Sequence, residues 1–285
     1  MDGSENSPMT AQPDPPAPSA LDSLEALFSL RGHVALVTGA SSGLGMECAR
    51  AVAIGGADVA LVARRRERLE GLARELETFG VRALPVAADL SSAAELDRAF
   101  ADAIAGLGEI DILVNAAGIS MGGAAEKLSP RDWEAVFAVN ATAALMLAQR
   151  VAHRLIERGR PGRIINVTSI YASRASPYQK PLNAYRMVGY AASKAAMENM
   201  TRQLAIEWAR YGINVNAIAP GMMPTELNER ALAQPGVRER TESFTPMNRL
   251  GQPQEIRGAV IFLLSLASSY VTGAVFAVDG GYSAW

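Results

Sequence analysis

At 285 residues, with 49% apolar and 20% charged side chains, the chain is long enough for one large α/β domain or two small ones and has the composition of a globular protein with a sizeable core. A formal net charge of −2 gives neither nucleic acid nor an anionic membrane an electrostatic reason to bind. Cys48 is the only cysteine, which rules out an intrachain disulfide and points to a reducing compartment, and neither His33 nor His153 has a second ligand at metal-binding spacing.

Residues 1–20 carry Pro8, Pro13, Pro15, Pro16 and Pro18 and few charges, a composition that cannot bury enough apolar surface to order itself and predicts a disordered tail. The tail lacks the positive start and apolar core of a secretory signal and the arginines of a transit peptide. No apolar run approaches the ~20 residues that span a bilayer, so the expectation is a cytoplasmic protein with no membrane partner. Residues 21–30, with Leu21, Leu24, Leu27 and Phe28 at helical spacing, predict a short lead-in helix before a domain over residues 31–285.

The run from His33 to Thr38 is continuously apolar, as expected of a strand buried on both faces of a parallel sheet. It breaks into Gly39-Ala-Ser-Ser-Gly43-Leu-Gly45 and then a helix over Met46 to Ile54. Strand, glycine turn and helix together form a phosphate site: glycines let the backbone approach a pyrophosphate, and the helix N-terminus offers unpaired N–H groups. The spacing is G-x-x-x-G-x-G rather than G-x-G-x-x-G, and the alternative is a tight turn that holds no ligand. A second buried strand, Asp58 to Ala63, ends in Arg64-Arg65-Arg66. In a dinucleotide fold this strand end meets the adenosine ribose, where a carboxylate would accept the 2′-hydroxyl; Arg64 with no competing carboxylate suits a 2′-phosphate instead, favouring NADP(H) while leaving NAD(H) open. Arg65 and Arg66 read as the solvated start of the next helix.

The pattern then repeats: helix Glu67 to Phe79, strand Arg82 to Ala87 ending at Asp89-Leu90, helix Ala93 to Ile104, strand Ile110 to Val114 ending at Asn115-Ala116-Ala117-Gly118. A long helix from about Pro130 to Glu157 leads to strand Arg163 to Val167, ending at Thr168-Ser169. A helix over Gly189 to Tyr211 precedes strand Ile213 to Ile218, which ends at Pro220-Gly221, and Ala274 to Val278 is the last strand. Alternating buried strands and helices specify a single-domain α/β fold, a doubly wound parallel sheet of the Rossmann type with helices on both faces. Every polar or glycine-rich element named lies at the carboxyl end of a strand, the edge where such sheets bind ligands.

On the Gly189–Tyr211 helix, Tyr190 and Lys194 are four residues apart and share a face. A phenol alone is a poor proton donor or acceptor at neutral pH; a fixed cation beside it pulls its pKa down toward the working range. Taken by itself, the pair is equally consistent with an ordinary amphipathic helix.

Together these residues resemble the classical short-chain dehydrogenase/reductase family over Val34 to about Tyr282, through Thr38-Gly39-Ala-Ser-Ser-Gly43-Leu-Gly45, Asp89, Asn115-Ala-Ala-Gly118, Asn140, Ser169, Tyr190-Ala-Ala-Ser-Lys194, Pro220-Gly221-Met-Met-Pro-Thr225 and Val278-Asp-Gly-Gly281. The overall likeness is to the branch containing gluconate 5-dehydrogenase, with 3-oxoacyl-carrier-protein reductase second. The resemblance implies an oxidoreductase interconverting a ketone and a secondary alcohol, with a sugar acid or polyol as one substrate class. It implies that Tyr190 is the general acid and base, Lys194 holds the nicotinamide ribose and lowers the Tyr190 pKa, Ser169 bonds the substrate oxygen, and Asn140 anchors a proton-relaying water. A helix asparagine bonding locally is the alternative for Asn140. The cofactor would contact Gly39, Ser41, Ser42, Gly43, Leu44, Gly45, Arg64, Asp89, Leu90, Asn115, Ala116, Gly118, Tyr190 and Lys194. The segment from Pro220 and Gly221 through Met223 to Thr225 would cover its carboxamide. The family usually forms dimers or tetramers, so a homo-oligomer is implied.

The sequence departs from the family between Ser169 and Tyr190, where 190 − 169 = 21 residues separate the two, roughly 8 more than usual, and long loops of this kind are often functional. The added stretch within 172–189 holds Arg174, Lys180 and Arg186, which suit an anionic substrate, an inter-subunit element or plain solvation. Tyr185 has Gly189 rather than lysine four residues on, which leaves Tyr190 as the candidate. The resemblance implies that Met222 to Gly251 covers the substrate, and within it Thr225 to Ala233 reads as a short amphipathic helix suited to a lid. A nucleotide-binding sensor without catalysis is the reading from a different class.

Overall fold

Seven apolar runs become seven parallel strands in one sheet of order β3-β2-β1-β4-β5-β6-β7 in the computed structural model, which describes residues 23–175 and 187–284. The predicted tail at 1–20 and most of the 172–189 stretch, including Lys180, Tyr185 and Arg186, lie outside the described residues. The strands are β1 (Val34–Thr38), β2 (Asp58–Ala63), β3 (Ala83–Ala87), β4 (Ile112–Asn115), β5 (Gly162–Val167), β6 (Ile213–Pro220) and β7 (Val275–Val278). Their register is regular, with Val37 paired to both Leu61 and Val114, so the carboxyl ends fall along one edge.

Both faces of the sheet are covered, which is why the central strands are unbroken apolar runs rather than alternating ones. Ala35, Val37, Ile112, Val114 and Ile165 pack on one side with helices α2 (Gly43–Ile54), α3 (Arg66–Glu77) and α10 (Arg257–Leu264). Leu36, Leu113, Ile164 and Val215 pack on the other with α4 (Ala93–Leu107), α6 (Ala143–Glu157) and α7 (Val188–Trp208). Burying a leucine or isoleucine fully contributes about 1.5–3 kcal/mol, and Leu36, Leu61, Leu113, Ile164 and Ile165 are all essentially inaccessible. The free thiol of Cys48 lies in the first of these layers, where burial pushes its pKa up to about 12.

Several elements differ from the sequence expectation. Helix α2 starts at Gly43 rather than Met46, because two glycines of the turn belong to its first turn. The predicted helix over 130–157 is α5 (Pro130–Phe137) joined to α6 through a π-helical turn at Ala138–Thr142. By length and apolarity this continuous stretch suffices to cross a bilayer; Ala144, Leu147, Val151 and Leu155, however, face the sheet. The lid helix shrinks to α8 (Glu229–Leu232), because Asn228 turns back to accept from Thr225 N and to donate to the Met223 carbonyl. A further helix, α9 (Val237–Ser243), begins after Gly236, and α10 had no counterpart among the predicted elements.

Candidate active site

The sheet order reverses between β1 and β4, so the chain leaves these neighbouring strands in opposite directions and opens a crevice above them. The turn after β1 is drawn close to the turn after β4. Gly39 has φ +69°, and a Cβ there would lie 2.8 Å from the Ala117 Cα; a Cβ on Gly45 would lie 2.3 Å from the Gly39 carbonyl oxygen. Thr38 stitches the two turns, its Oγ1 accepting from the Ala116 and Ala117 N–H groups at 3.0 Å each. The first turn of α2 therefore faces the crevice, and Ser42 makes no side-chain cap bond to it.

A cavity of about 480 Å³ fills the crevice. Of the sequence candidates, Gly39, Ser41, Ser42, Gly43, Leu44, Gly45, Arg64, Asp89, Leu90, Ala116, Gly118, Tyr190, Lys194 and Thr225 line it. One end is polar and basic. Arg64 stands near Asp89, whose carboxyl is held below its usual range mainly by the N–H and hydroxyl of Ser91, with the Arg64 charge adding to the effect. Arg65 lies at the start of α3 and is partly exposed, as expected, but is also hydrogen-bonded. Its guanidinium donates to Ser41 Oγ at 3.0 Å, to Ser42 Oγ at 2.7 Å and to Glu226 Oε2 at 2.8 Å. Arg66 does remain exposed, 3.9 Å from Glu70.

At the other end, α7 delivers Tyr190 and Lys194. The Tyr190 phenol is hydrogen-bonded to Ser169, and burial pushes its pKa up more than that bond brings it down. Ser169 caps the short turn after β5, its Oγ accepting from Tyr171 N at 3.2 Å. Lys194 is 3% exposed; its ammonium donates to the Val167 carbonyl at 2.7 Å and lies 5.8 Å from the centre of the Tyr190 ring. Burial lowers its pKa to about 8. The sequence expectation that the cation dominates the Tyr190 pKa is thus not met: Lys194 is directed at a carbonyl, and desolvation governs both groups.

Asn140 sits in the π-helical turn, a local widening frequent at functional sites. Its Oδ1 accepts from Ile119 N at 2.8 Å, and its Nδ2 donates to the Ile119 carbonyl at 3.0 Å and to Ser193 Oγ at 2.9 Å. The Ser193 hydroxyl donates in turn to the Tyr190 carbonyl at 2.7 Å. Both ends of the amide are engaged in pinning the post-β4 loop to α7, a role the sequence expectation of a water anchor did not include. A Cβ on Gly118 would lie 3.5 Å from both Asn140 Oδ1 and Lys194 Nζ, so these two groups border one small space.

Six candidates do not line the cavity: Ser169 and Asn140, placed above, and Asn115, Pro220, Gly221 and Met223. Asn115 is 2% exposed and donates to the Asn166 side chain at 2.9 Å and the Ala144 carbonyl at 3.2 Å, so its side chain braces the sheet beneath the crevice rather than lining it. Asn166 continues the thread to Thr201 on α7 at 2.9 Å. Gly221 bonds to the Val278 carbonyl through its N–H, the β6 terminus Pro220 pairs with Val278, and Met223 packs against Gly251. Sequence reasoning missed Thr38 and Ser193 as positioning groups, although their neighbours in the motifs marked the region, and it missed Glu226 entirely. Beside the cavity, Tyr190, Met187, Met222 and Phe244 pack against an apolar cluster of Ile170, Tyr171 and Tyr282.

A family model described as enoyl-(acyl carrier protein) reductase matches residues 39–283. The chain is similar to gluconate 5-dehydrogenase of Gluconobacter oxydans (strain 621H), 38% identical over 255 residues that cover 90% of this chain and 96% of the relative. It is 39% identical to galactitol 2-dehydrogenase (L-tagatose-forming) of Cereibacter sphaeroides over 259 residues, covering 91% and 98%. Among solved structures it resembles a gluconate 5-dehydrogenase from Burkholderia cenocepacia J2315 in complex with NADP and tartrate, with TM-score 0.83, 37% identity and coverage of 91% and 98%.

Proposed function

The chain belongs to the short-chain dehydrogenase/reductase family, and from that membership we propose an NADP(H)-dependent oxidoreductase that interconverts a ketone and a secondary alcohol on a sugar acid or polyol. The observation that carries the proposal is one cavity with Ser41, Ser42, Arg64 and Arg65 at one end and Tyr190 and Lys194 at the other. The donor set fits the group: a turn with no room for a Cβ at Gly39 or Gly45, a free helix N-terminus for a pyrophosphate, and arginines with serine hydroxyls for a 2′-phosphate. The names of the sugar-acid and polyol relatives support the substrate class.

When bound, NADPH supplies the hydride that reduces the carbonyl carbon. The chain's own residues do the rest. Tyr190, whose pKa is raised by burial, is protonated at neutral pH and donates its phenolic proton to the substrate oxygen. Ser169, already bonded to that phenol, donates to the same oxygen and stabilises the charge developing there. Lys194 holds the ribose end with its ammonium and stabilises the phenolate left after transfer. Asn140 and Ser193 keep α7 and the post-β4 loop in register with one another. Asn115, off the cavity wall, acts by bracing the strand ends. The apolar cluster around Met187, Met222 and Phe244 excludes water from the reacting atoms.

The test is NADPH oxidation over a panel containing 5-ketogluconate, L-tagatose, a 3-oxoacyl thioester and a 3-ketosteroid. Turnover with a keto-sugar or keto-sugar acid at a kcat/KM at least about tenfold above the others is expected, within the ordinary range of about 10⁴–10⁸ M⁻¹s⁻¹. Preference for the thioester would replace the substrate class with an acyl-carrier substrate, and tight NADPH binding with no turnover on any member would leave a binding-only protein. A pH effect follows from Lys194. Its ammonium is present in the free protein below about 8 and lost above it, so kcat/KM for NADPH should hold from about pH 6 to 7.5 and fall above 8. Lys194→Arg should remove that falling limb; a profile flat to pH 10 in the wild type would sink the role of Lys194.

The proposal extends to a cytoplasmic homo-oligomer, dimer or tetramer, supported by exposed apolar Phe276 on β7 and Ile206 on α7. Residues 31–285 would form its single catalytic domain, with 1–20 a separate tail. Neither nucleic acid nor membrane enters the scheme.

A further inference from the structure

Glu226 lies in the segment after β6, yet its carboxylate closes on the start of α3 across the mouth of the cavity. Its Oε2 accepts from Arg65 Nη1 at 2.8 Å, its Oε1 accepts from Arg68, and the Ser42 hydroxyl also bonds to it. Three separate donors on one carboxylate hold its pKa down at about 2. Such a collar, two guanidinium groups and a hydroxyl around a single acceptor group, is also what a phosphomonoester dianion requires. Arg65 engages Ser41 and Ser42 with its other nitrogens, so its fork is already turned toward the basic end of the cavity. Within the described residues no other carboxylate is bonded to Arg65.

We infer that Glu226 is an internal occupant of the anion position formed by Arg65, Arg68 and Ser42, displaced when the 2′-phosphate of NADP(H) takes that position. The inference rests on the cofactor assignment proposed above and adds to it a residue that sets the strength of discrimination. NADH, with an uncharged hydroxyl at the same carbon, leaves the clasp closed. Displacement also frees the segment that carries Glu226, and Thr225 beside it already touches the glycine turn: a Cβ on Gly43 would lie 3.3 Å from the Thr225 side chain. The 2′-phosphate is thereby coupled to the position of the segment that runs from the cofactor cleft to α8. Arg65, Arg68 and Glu226 are each half exposed, at 42%, 50% and 46%, so water screens the clasp and its effect on affinity is moderate rather than decisive.

The experiment is equilibrium binding of NADPH and of NADH, followed by nicotinamide fluorescence, to the full-length wild type and to the Glu226→Gln and Arg65→Ala variants. Thermal melting provides a fold control for the two surface substitutions. Removing a competitor that leaves about 10–30% of molecules open should tighten NADPH about 3- to 10-fold in Glu226→Gln, with NADH changed less than about 2-fold. Arg65→Ala should weaken NADPH by about tenfold or more and NADH little. If the wild type prefers NADPH and Arg65→Ala abolishes that preference, but Glu226→Gln leaves NADPH unchanged, weakens it or tightens both cofactors equally, the clasp is wrong and the cofactor assignment stands. If the wild type binds NADPH no tighter than NADH, or Arg65→Ala weakens both equally, the cofactor assignment fails and the clasp falls with it.

Discussion

Tyr190→Phe is expected to lower kcat for ketone reduction by about 10³-fold, near 4 kcal/mol, with NADPH affinity within a few-fold of wild type. The substitution removes one oxygen from a half-buried ring whose packing against the cluster of Ile170, Tyr171 and Tyr282 is unchanged. What is lost is the only acidic O–H that the described residues place between Ser169 and Lys194. The Ser169 hydroxyl loses its partner but keeps its bond from Tyr171 N, so the turn it caps stays in place. Residual rate comes from orientation and from Ser169, which is why the loss stops well short of the uncatalysed level. Single-turnover measurement at saturating NADPH isolates the effect from product release. A residual rate within tenfold of wild type would mean that another group donates the proton.

Gly45→Ala, the addition of one methyl group, is expected to cost about 2–3 kcal/mol of stability and at least about tenfold in NADPH affinity. The new carbon would meet the Gly39 carbonyl oxygen at 2.3 Å and the Gly39 carbonyl carbon at 2.6 Å, both backbone atoms that no rotamer change can move. Either α2 retreats from the sheet, opening the apolar layer around Ala49 and Val52, or the Gly39 turn lifts away from Ala117. Each alternative displaces the helix terminus from the cavity. Gly71→Ala on α3 is the matched control, since a Cβ there meets nothing within 4 Å; it should stabilise by about 0.5–1 kcal/mol through helix propensity alone. Guanidinium unfolding midpoints and NADPH fluorescence titration of the two variants check both halves. Equal midpoints for the two would show that the turn yields without cost.

The central strands were legible because burial on both faces writes a continuous apolar run, and the partly exposed edge strands β3 and β7 also fall where their apolar runs predict. Helices were legible when one face was apolar, as with Leu69, Leu72 and Leu76 of α3. Helix α10 escaped because Arg-Gly-Ala-Val-Ile-Phe-Leu-Leu is apolar nearly all round, without the period that marks a surface helix. The π-helical turn escaped because Ala-Val-Asn-Ala-Thr has no proline or glycine to announce a change of winding. At the site, Tyr190, Lys194 and Ser169 were legible as local patterns whose meaning came from family resemblance. The Arg65–Glu226 contact was not legible because it spans 161 positions, a separation at which no spacing rule operates. The Asn115 side chain points the other way from its motif neighbours because it is the last residue of β4 and obeys the strand's alternation, whereas Ala116 and Gly118 lie beyond it.

The thread from Asn115 through Asn166 to Thr201, with the bond from Lys194 to the Val167 carbonyl, ties α7 to the sheet from within. Ser169 is tied separately, by its own place directly after β5. Both attachments are made by buried groups of the sheet and of α7. The aim of the phenol at the hydroxyl is therefore inherited from buried groups beneath the cavity, and drift elsewhere on the surface leaves it unaltered.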